Sequence, residues 1–216
     1  MYSVKEAFYT LQGEGVQAGR ASVFCRFTGC NLWSGREQDR ASAQCHFCDT
    51  DFVGTDGQNG GKFSTAEALT AHLASLWPHS DSRVIPYVVF TGGEPLLQLD
   101  TPLIEAMHRA GFEIGVETNG TLPAPEGIDW LCVSPKGAAP LAQRHGDELK
   151  LVFPQAEAPP EAFEAMQFDH FLLQPMDTSL VASDAPTTPL QATVAHCMAH
   201  PRWRLSLQTH KIAGID

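Results

Sequence analysis

Positive charge is scarce in this chain. Among 216 residues, 14 lysines and arginines stand against 25 aspartates and glutamates, a formal net charge of -11, and no basic run interrupts the balance. A surface of that sign repels phosphate backbones and anionic lipid, so nucleic acid and membrane are excluded as expected partners. No segment approaches the roughly 18 uncharged apolar residues that span a bilayer, and the opening MYSVKEAFYT lacks a basic region followed by a long apolar stretch. The expectation is a soluble, cytoplasmic protein. Internal repeats and low-complexity blocks are also missing, which leaves a single domain over residues 1–216, long enough for one sizeable core. The six cysteines are too few in a chain of this length to suggest a disulfide framework in a reducing compartment; they read as core residues, metal ligands or reactive thiols.

What the chain does have is alternation. Short apolar runs read as strands at Ser3–Phe8, Ala21–Phe27, Tyr87–Thr91, Glu113–Thr118, Trp130–Ser134, Leu149–Phe153, His170–Gln174 and Trp203–Gln208. Helical spacing separates several of them. Residues 64–77 open on Ser64 as cap with Glu67 at the capping-box position, residues 100–111 start Asp-Thr-Pro and end on Gly111, and residues 189–200 form a third candidate. Such alternation predicts an α/β fold with a mostly parallel sheet. A complete eightfold barrel takes about 250 residues. The expectation is therefore a partial, open TIM-like barrel, with loops at residues 119–129 and 138–147 replacing helices and with an enlarged loop around the clustered cysteines. The glycine-rich run 53–63 links that loop to the first helix.

Polar or glycine-rich groups follow one strand after another: TGGEP (91–95), ETNG (117–120), SPK (134–136), QPMD (174–177) and QTHK (208–211). Each alone terminates a strand, but in a parallel sheet these ends share one edge, where α/β proteins build their sites.

Cys30, Cys45 and Cys48 have the spacing C-x14-C-x2-C, and no second C-x2-C exists. A structural zinc normally takes four protein ligands, and the fourth could come from Cys25, His46 or a distant histidine. Cys25, however, alternates with Val23 and Phe27 and reads as core, while His46 lies awkwardly between two ligands. Three thiolates suit a four-iron four-sulfur cluster with one open iron. Spacing alone leaves the cluster, zinc and unrelated thiols open. The alternation that sends Cys25 to the core turns Arg26 to the barrel interior, where its charge needs either an anionic ligand or an internal partner such as Glu14. Asp49-Thr50-Asp51 offers hard oxygens of the kind magnesium takes, although such a run more often caps or turns.

The cysteine loop followed by TGGEP resembles the radical S-adenosylmethionine enzymes. More narrowly, FYTLQGEG, FCRFTGCNLWSG, CDTDF, TGGEP, ETNG, SPK, QPMD and SLQTHK, in that order over nearly the whole chain, resemble the 7-carboxy-7-deazaguanine synthase family. The superfamily's usual loop is C-x3-C-x2-C, and the enlarged first spacing points to this branch.

The resemblance implies a carbon–nitrogen lyase that contracts 6-carboxy-5,6,7,8-tetrahydropterin to 7-carboxy-7-deazaguanine with loss of ammonia, on the route to queuosine and other deazapurines. It implies that Cys30, Cys45 and Cys48 hold a 4Fe-4S cluster and that Thr50 ligates Mg2+. Phe47, Cys48, Asp49, Gly93, Glu117, Ser134, Pro135, Lys136, Gln174, Pro175, Met176 and Asp177 would bind S-adenosyl-L-methionine. Leu11, Gln12, Gly13, Arg26, Thr91 and His210 would bind the pterin, Arg26 through its carboxylate. Lys211 stands beside His210 in the same group, and a homodimer and an electron donor such as flavodoxin complete the family's pattern. Two rivals are a zinc-stabilised binding module and a radical enzyme that acts on another protein.

Overall fold

The computed structural model describes residues 1–78, 81, 83–177 and 187–215. Nine strands form one open sheet: β1 (Tyr2–Leu11), β2 (Ala21–Phe27), β3 (Gly61–Phe63), β4 (Tyr87–Gly92), β5 (Glu113–Thr118), β6 (Trp130–Val133), β7 (His145–Phe153), β8 (Gln167–Pro175) and β9 (Trp203–Leu205). Their order is β3-β1-β2-β4-β5-β6-β7-β8-β9. From β2 through β9 every neighbouring pair is parallel, whereas β1 runs antiparallel to both β2 and β3. The sheet does not close, as expected for a partial barrel.

Three longer helices cover its outer face: α1 (Ala66–Leu76), α2 (Thr101–Arg109) and α3 (Pro189–Ala199). Their sequences specify their ends. Asp100 caps α2 by accepting from the Leu103 amide, and Thr188 forms a full capping box with Gln191 at α3. At α1 the cap is Thr65, which accepts from the Ala68 amide, one residue beyond the expected Ser64. In α2, Leu103, Ile104 and Met107 lie on one face at helical spacing and are fully buried against the sheet. Burial of side chains this size stabilises by about 1.5–3 kcal/mol each.

No helix intervenes between β5 and β6, where residues 119–129 form the expected loop. The expected loop at 138–147 is shorter than anticipated, because His145–Asp147 already pair as the start of β7. The glycine-rich run contains β3, which adds to the edge beside β1. The expected strand through Gln208 stops at Leu205, and a short helix, α4 (Thr209–Ala213), follows. Among the described residues, no helix is long and apolar enough to cross a membrane.

Alternation sorts the two faces of the sheet. In β2, Val23, Cys25 and Phe27 are wholly buried beneath the helices, while Phe24 and Arg26 face the concave side. In β7, Leu149 and Leu151 join the core as Glu148 and Lys150 point the other way. The concave face is therefore polar, and the site is built there.

Candidate active site

A cavity of about 490 Å³ opens on the concave face at the strand ends. Cys30, Cys45 and Cys48 all reach it. Residues 31–44 between the first two explain how the thiols are held. Trp33 packs edge-on against Phe52 at 5.7 Å, and the Arg40 guanidinium lies 4.2 Å over the Trp33 ring. Arg40 also donates to the carbonyls of His46 and Cys48 at 3.0 and 2.9 Å, so the insertion fastens the C-x2-C turn from outside.

The donor set suits a soft metal centre. None of the three cysteines is in a disulfide. The Leu32 amide donates to the Cys30 sulfur at 3.4 Å. A hydrogen bond from the Cys45 thiol lowers the pKa of Cys48 against the opposing effect of burial. The same bond, together with burial, holds Cys45 protonated. Three soft sulfurs lining one cavity would fit an iron–sulfur cluster held by Cys30, Cys45 and Cys48. The described residues bring no fourth thiol to that cavity: Cys25 and Cys132 are buried elsewhere in the sheet, and Cys197 lies on α3.

At the end of β4, Gly93 is required by space. A Cβ there would lie 2.1 Å from the Gly29 carbonyl and 2.8 Å from Cβ of Cys30. The TGGEP turn thus abuts the cysteine loop, with Thr91 and Gly93 on the cavity wall. Glu94 turns away from it. Its carboxylate accepts from Thr118 Oγ1 at 2.7 Å and from the Asn119 amide at 2.8 Å, tying the β4 end to the β5 end. Burial raises its pKa, partly offset by those donors.

The cavity floor is a charged network. Lys150 donates to Glu117 and pairs with Glu14, each at 2.9 Å, and Gln12 donates to Glu117 at 3.0 Å. Burial opposes the charge on Lys150, yet the surrounding Cys132, Glu117, Glu14 and Glu148 hold its pKa well above the ordinary lysine value. The two carboxylates on this one ammonium diverge. Glu14 overcomes burial through Lys150 and Gln208 and falls to about 2. At Glu117 burial dominates, reinforced by Glu148 and Glu14, and its pKa rises. Glu148 itself accepts from the Val16 amide and the Cys132 thiol, which braces the Gly13–Val16 turn.

The mouth is covered by α4. Thr209 donates through both its amide and hydroxyl to the Gly13 carbonyl, and His210 packs so closely that a Cβ on Gly13 would lie 2.1 Å from its Nδ1. Lys211 pairs with Asp49 at 2.8 Å and with Asp177. His210 and Lys211 therefore belong to a helix over the cavity, not to a strand end.

Leu11, Gln12, Gly13, Arg26, Phe47, Asp49, Thr50, Thr91, Glu117, Ser134, Lys136, Gln174, Pro175, Met176, Asp177 and His210 line this one cavity, together with Gly93 and the three cysteines. Pro135 does not reach its wall; it is buried, with its carbonyl accepting from Gln155. Arg26 faces the cavity, but its internal partner is Glu6 at 2.8 Å, across the β1–β2 pair, instead of Glu14. Asp49-Thr50-Asp51 does not converge as three oxygens, since Asp51 pairs with Lys5 at 3.0 Å and Asp49 with Lys211. His108 pairs with Asp129 and His72 bonds the Asn59 carbonyl, both outside the cavity.

Reading the sequence missed Lys150, Glu148 and Asn119. The signal for Lys150 was present: a lysine between two buried leucines in an alternating strand points to the opposite face.

No family model matches the chain. Among curated proteins it is 64% identical over 215 residues to 7-carboxy-7-deazaguanine synthase of Bordetella pertussis and 63% identical to that of Caulobacter vibrioides, covering 99% of both chains in each case. It is 38% identical to the Bacteroides thetaiotaomicron protein of the same name, over 100% of this chain and 99% of that one. Among solved structures, the crystal structure of QueE from Escherichia coli superposes with a TM-score of 0.70 at 26% identity, covering 97% of this chain and 94% of that chain. The cysteine wall, the glycine turn against it and near-complete alignment with these synthases agree, and the chain is an enzyme of the 7-carboxy-7-deazaguanine synthase family.

Proposed function

We propose that this enzyme is a 7-carboxy-7-deazaguanine synthase: a carbon–nitrogen lyase that contracts 6-carboxy-5,6,7,8-tetrahydropterin to 7-carboxy-7-deazaguanine, releasing ammonia for a queuosine or other deazapurine route. The observation that carries the reading is that one cavity gathers three thiols, the Gly93 turn packed against Cys30, and the polar groups Gln12, Arg26 and Thr91.

Cys30, Cys45 and Cys48 hold the 4Fe-4S cluster in this reading. With S-adenosylmethionine at its open iron, such a cluster supplies the one-electron cleavage that initiates radical chemistry. The chain's own residues bind and orient. Phe47, Asp49, Gly93, Glu117, Ser134, Lys136 and Gln174 to Asp177 surround the cofactor. Arg26 binds the pterin carboxylate, and Leu11, Gln12, Gly13, Thr91 and His210 read the ring. The Lys150 network fixes Gln12 and Glu117, and α4 keeps bulk water from the mouth. Thr50, on the cavity wall, would supply the protein's oxygen ligand to Mg2+. One domain, a homodimer, a flavodoxin-type electron donor and a cytoplasmic location complete the proposal.

Anaerobic reconstitution with iron and sulfide tests it. The expected result is a brown chromophore that S-adenosylmethionine perturbs, and conversion of the carboxylated pterin to the deazaguanine. A colourless protein with about one zinc per chain, or an unperturbed spectrum and no product, refutes it.

A further inference from the structure

Outside the cavity, we infer that Glu161, His196 and His200 form a separate site for zinc or a closely similar divalent ion, joining α3 to the segment between β7 and β8. One ligand atom from each residue lies within 4.8 Å of the other two. His196 and His200 are four apart, in the last turn and at the C-cap of α3, which stacks their rings on one side at 4.3 Å. Glu161 comes from a 3-10 turn (Pro160–Ala162) that follows Pro159.

Three features distinguish this trio from a chance surface cluster. Nε2 of His196 is buried and has no hydrogen-bond partner among the described residues, although a buried imidazole nitrogen ordinarily finds one. A metal bond would satisfy it. The two histidines sit where the carbonyl end of the helix dipole favours a cation. The frame is also braced: Trp203 Nε1, just past α3, donates to Glu164 at 3.0 Å, holding the turn that carries Glu161 beside the helix end.

The donor chemistry selects the ion. Two imidazoles and one carboxylate match zinc and its neighbours, while magnesium prefers an all-oxygen shell. Tetrahedral zinc places ligand atoms roughly 3.3 Å apart, so the trio must close slightly. Glu161 and His200 are exposed and able to do so by rotamer change. Water fills the fourth position. The ion would act as a staple that secures the end of α3 to the Pro160–Ala162 turn.

The test uses tag-free holoenzyme with the cluster loaded, so that the cysteine wall is occupied, and zinc chloride as probe. Equilibrium dialysis with metal analysis should find one zinc per chain at unchanged iron content, and the unfolding midpoint should rise with zinc but not with magnesium. Paired His196→Ala and His200→Ala should abolish the uptake. Glu161→Gln, at an exposed position that leaves packing intact, should weaken it by about tenfold or more. Equal uptake in wild type and variants, uptake accompanied by loss of iron, or no uptake by wild type overturns the site.

Discussion

Lys150 is the residue on which the cavity floor depends. Its side chain is 4% exposed and its ammonium stands between Glu14 and Glu117, so its removal leaves two carboxylates, only 20% and 19% exposed, without a counter-charge. Lys150→Met is expected to cost about 3–5 kcal/mol at pH 7. The sign with pH follows from the shifts. In the wild type, Glu14 is held at about 2 against an ordinary 4.5, so its contribution is present above 4.5 and is lost as pH falls through 2. Without Lys150, burial lifts both carboxylates above their ordinary values, and stability then improves as pH falls toward 4.5. Urea midpoints at pH 7 and pH 5 should show the variant recovering more at the lower pH than the wild type, in which Glu117 is raised but Glu14 is lowered. An equal deficit at both pH values would mean that lost packing, not charge, is responsible.

Arg26 and Thr50 are the other single residues with separable effects. Arg26 is joined to Glu6 through Nε, and a planar guanidinium can still present its outer edge to a carboxylate. Arg26→Lys should raise the pterin KM by about tenfold or more while uncoupled cleavage of S-adenosylmethionine persists; an unchanged KM would make the Glu6 pair its whole role. Thr50→Val should flatten the magnesium dependence of turnover, and a titration identical to wild type would remove Thr50 from the metal.

At the scale of elements, the β4 end and the cysteine loop behave as one piece. A methyl at Gly93 would collide with the Gly29 carbonyl, which is backbone and cannot rotate aside. Gly93→Ala should therefore retain the sheet by far-UV circular dichroism yet take up clearly less iron on reconstitution. Full iron loading would show that the loop adapts. These strand ends were legible in the sequence because β2 and β5 alternate cleanly and end in glycine or polar groups. Two features were not. The start of β7 reads as loop since His145, Gly146 and Asp147 carry little apolar signal, and their pairing with β8 decides the matter. Helix α4 is five residues long, too short to announce itself by periodicity, and tertiary bonds to Gly13, Asp49 and Asp177 hold it. Thr65 displaced Ser64 as the cap although only Ser64 has a glutamate three residues on; both are N-cap residue types, and the helix register settles between them.

At the scale of the whole molecule, the candidate site is built at the strand ends of a single sheet and on the loops that follow them, and the core beneath runs without a break from Tyr2 on β1 to Trp203 on β9. Alternation made the core face readable and, by the same period, the polar face; the identity of partners across it, such as Glu6 for Arg26, depends on strand order that no local pattern contains. A continuous core implies one cooperative unit, despite an antiparallel edge and a parallel remainder. The four tryptophans test this from different places: Trp33 in the cysteine loop, Trp77 past α1, Trp130 on β6 and Trp203 in the core. In cluster-loaded enzyme, tryptophan fluorescence and far-UV circular dichroism should lose signal at the same denaturant concentration. Removing the cluster should split off an early fluorescence phase that Trp33→Phe abolishes, because the loop is then held by the Trp33–Phe52 and Arg40 contacts and a few polar bonds such as Asn31 to Asn119 and Lys211 to Asp49. A second dichroism transition in the loaded enzyme would instead end the single-domain reading.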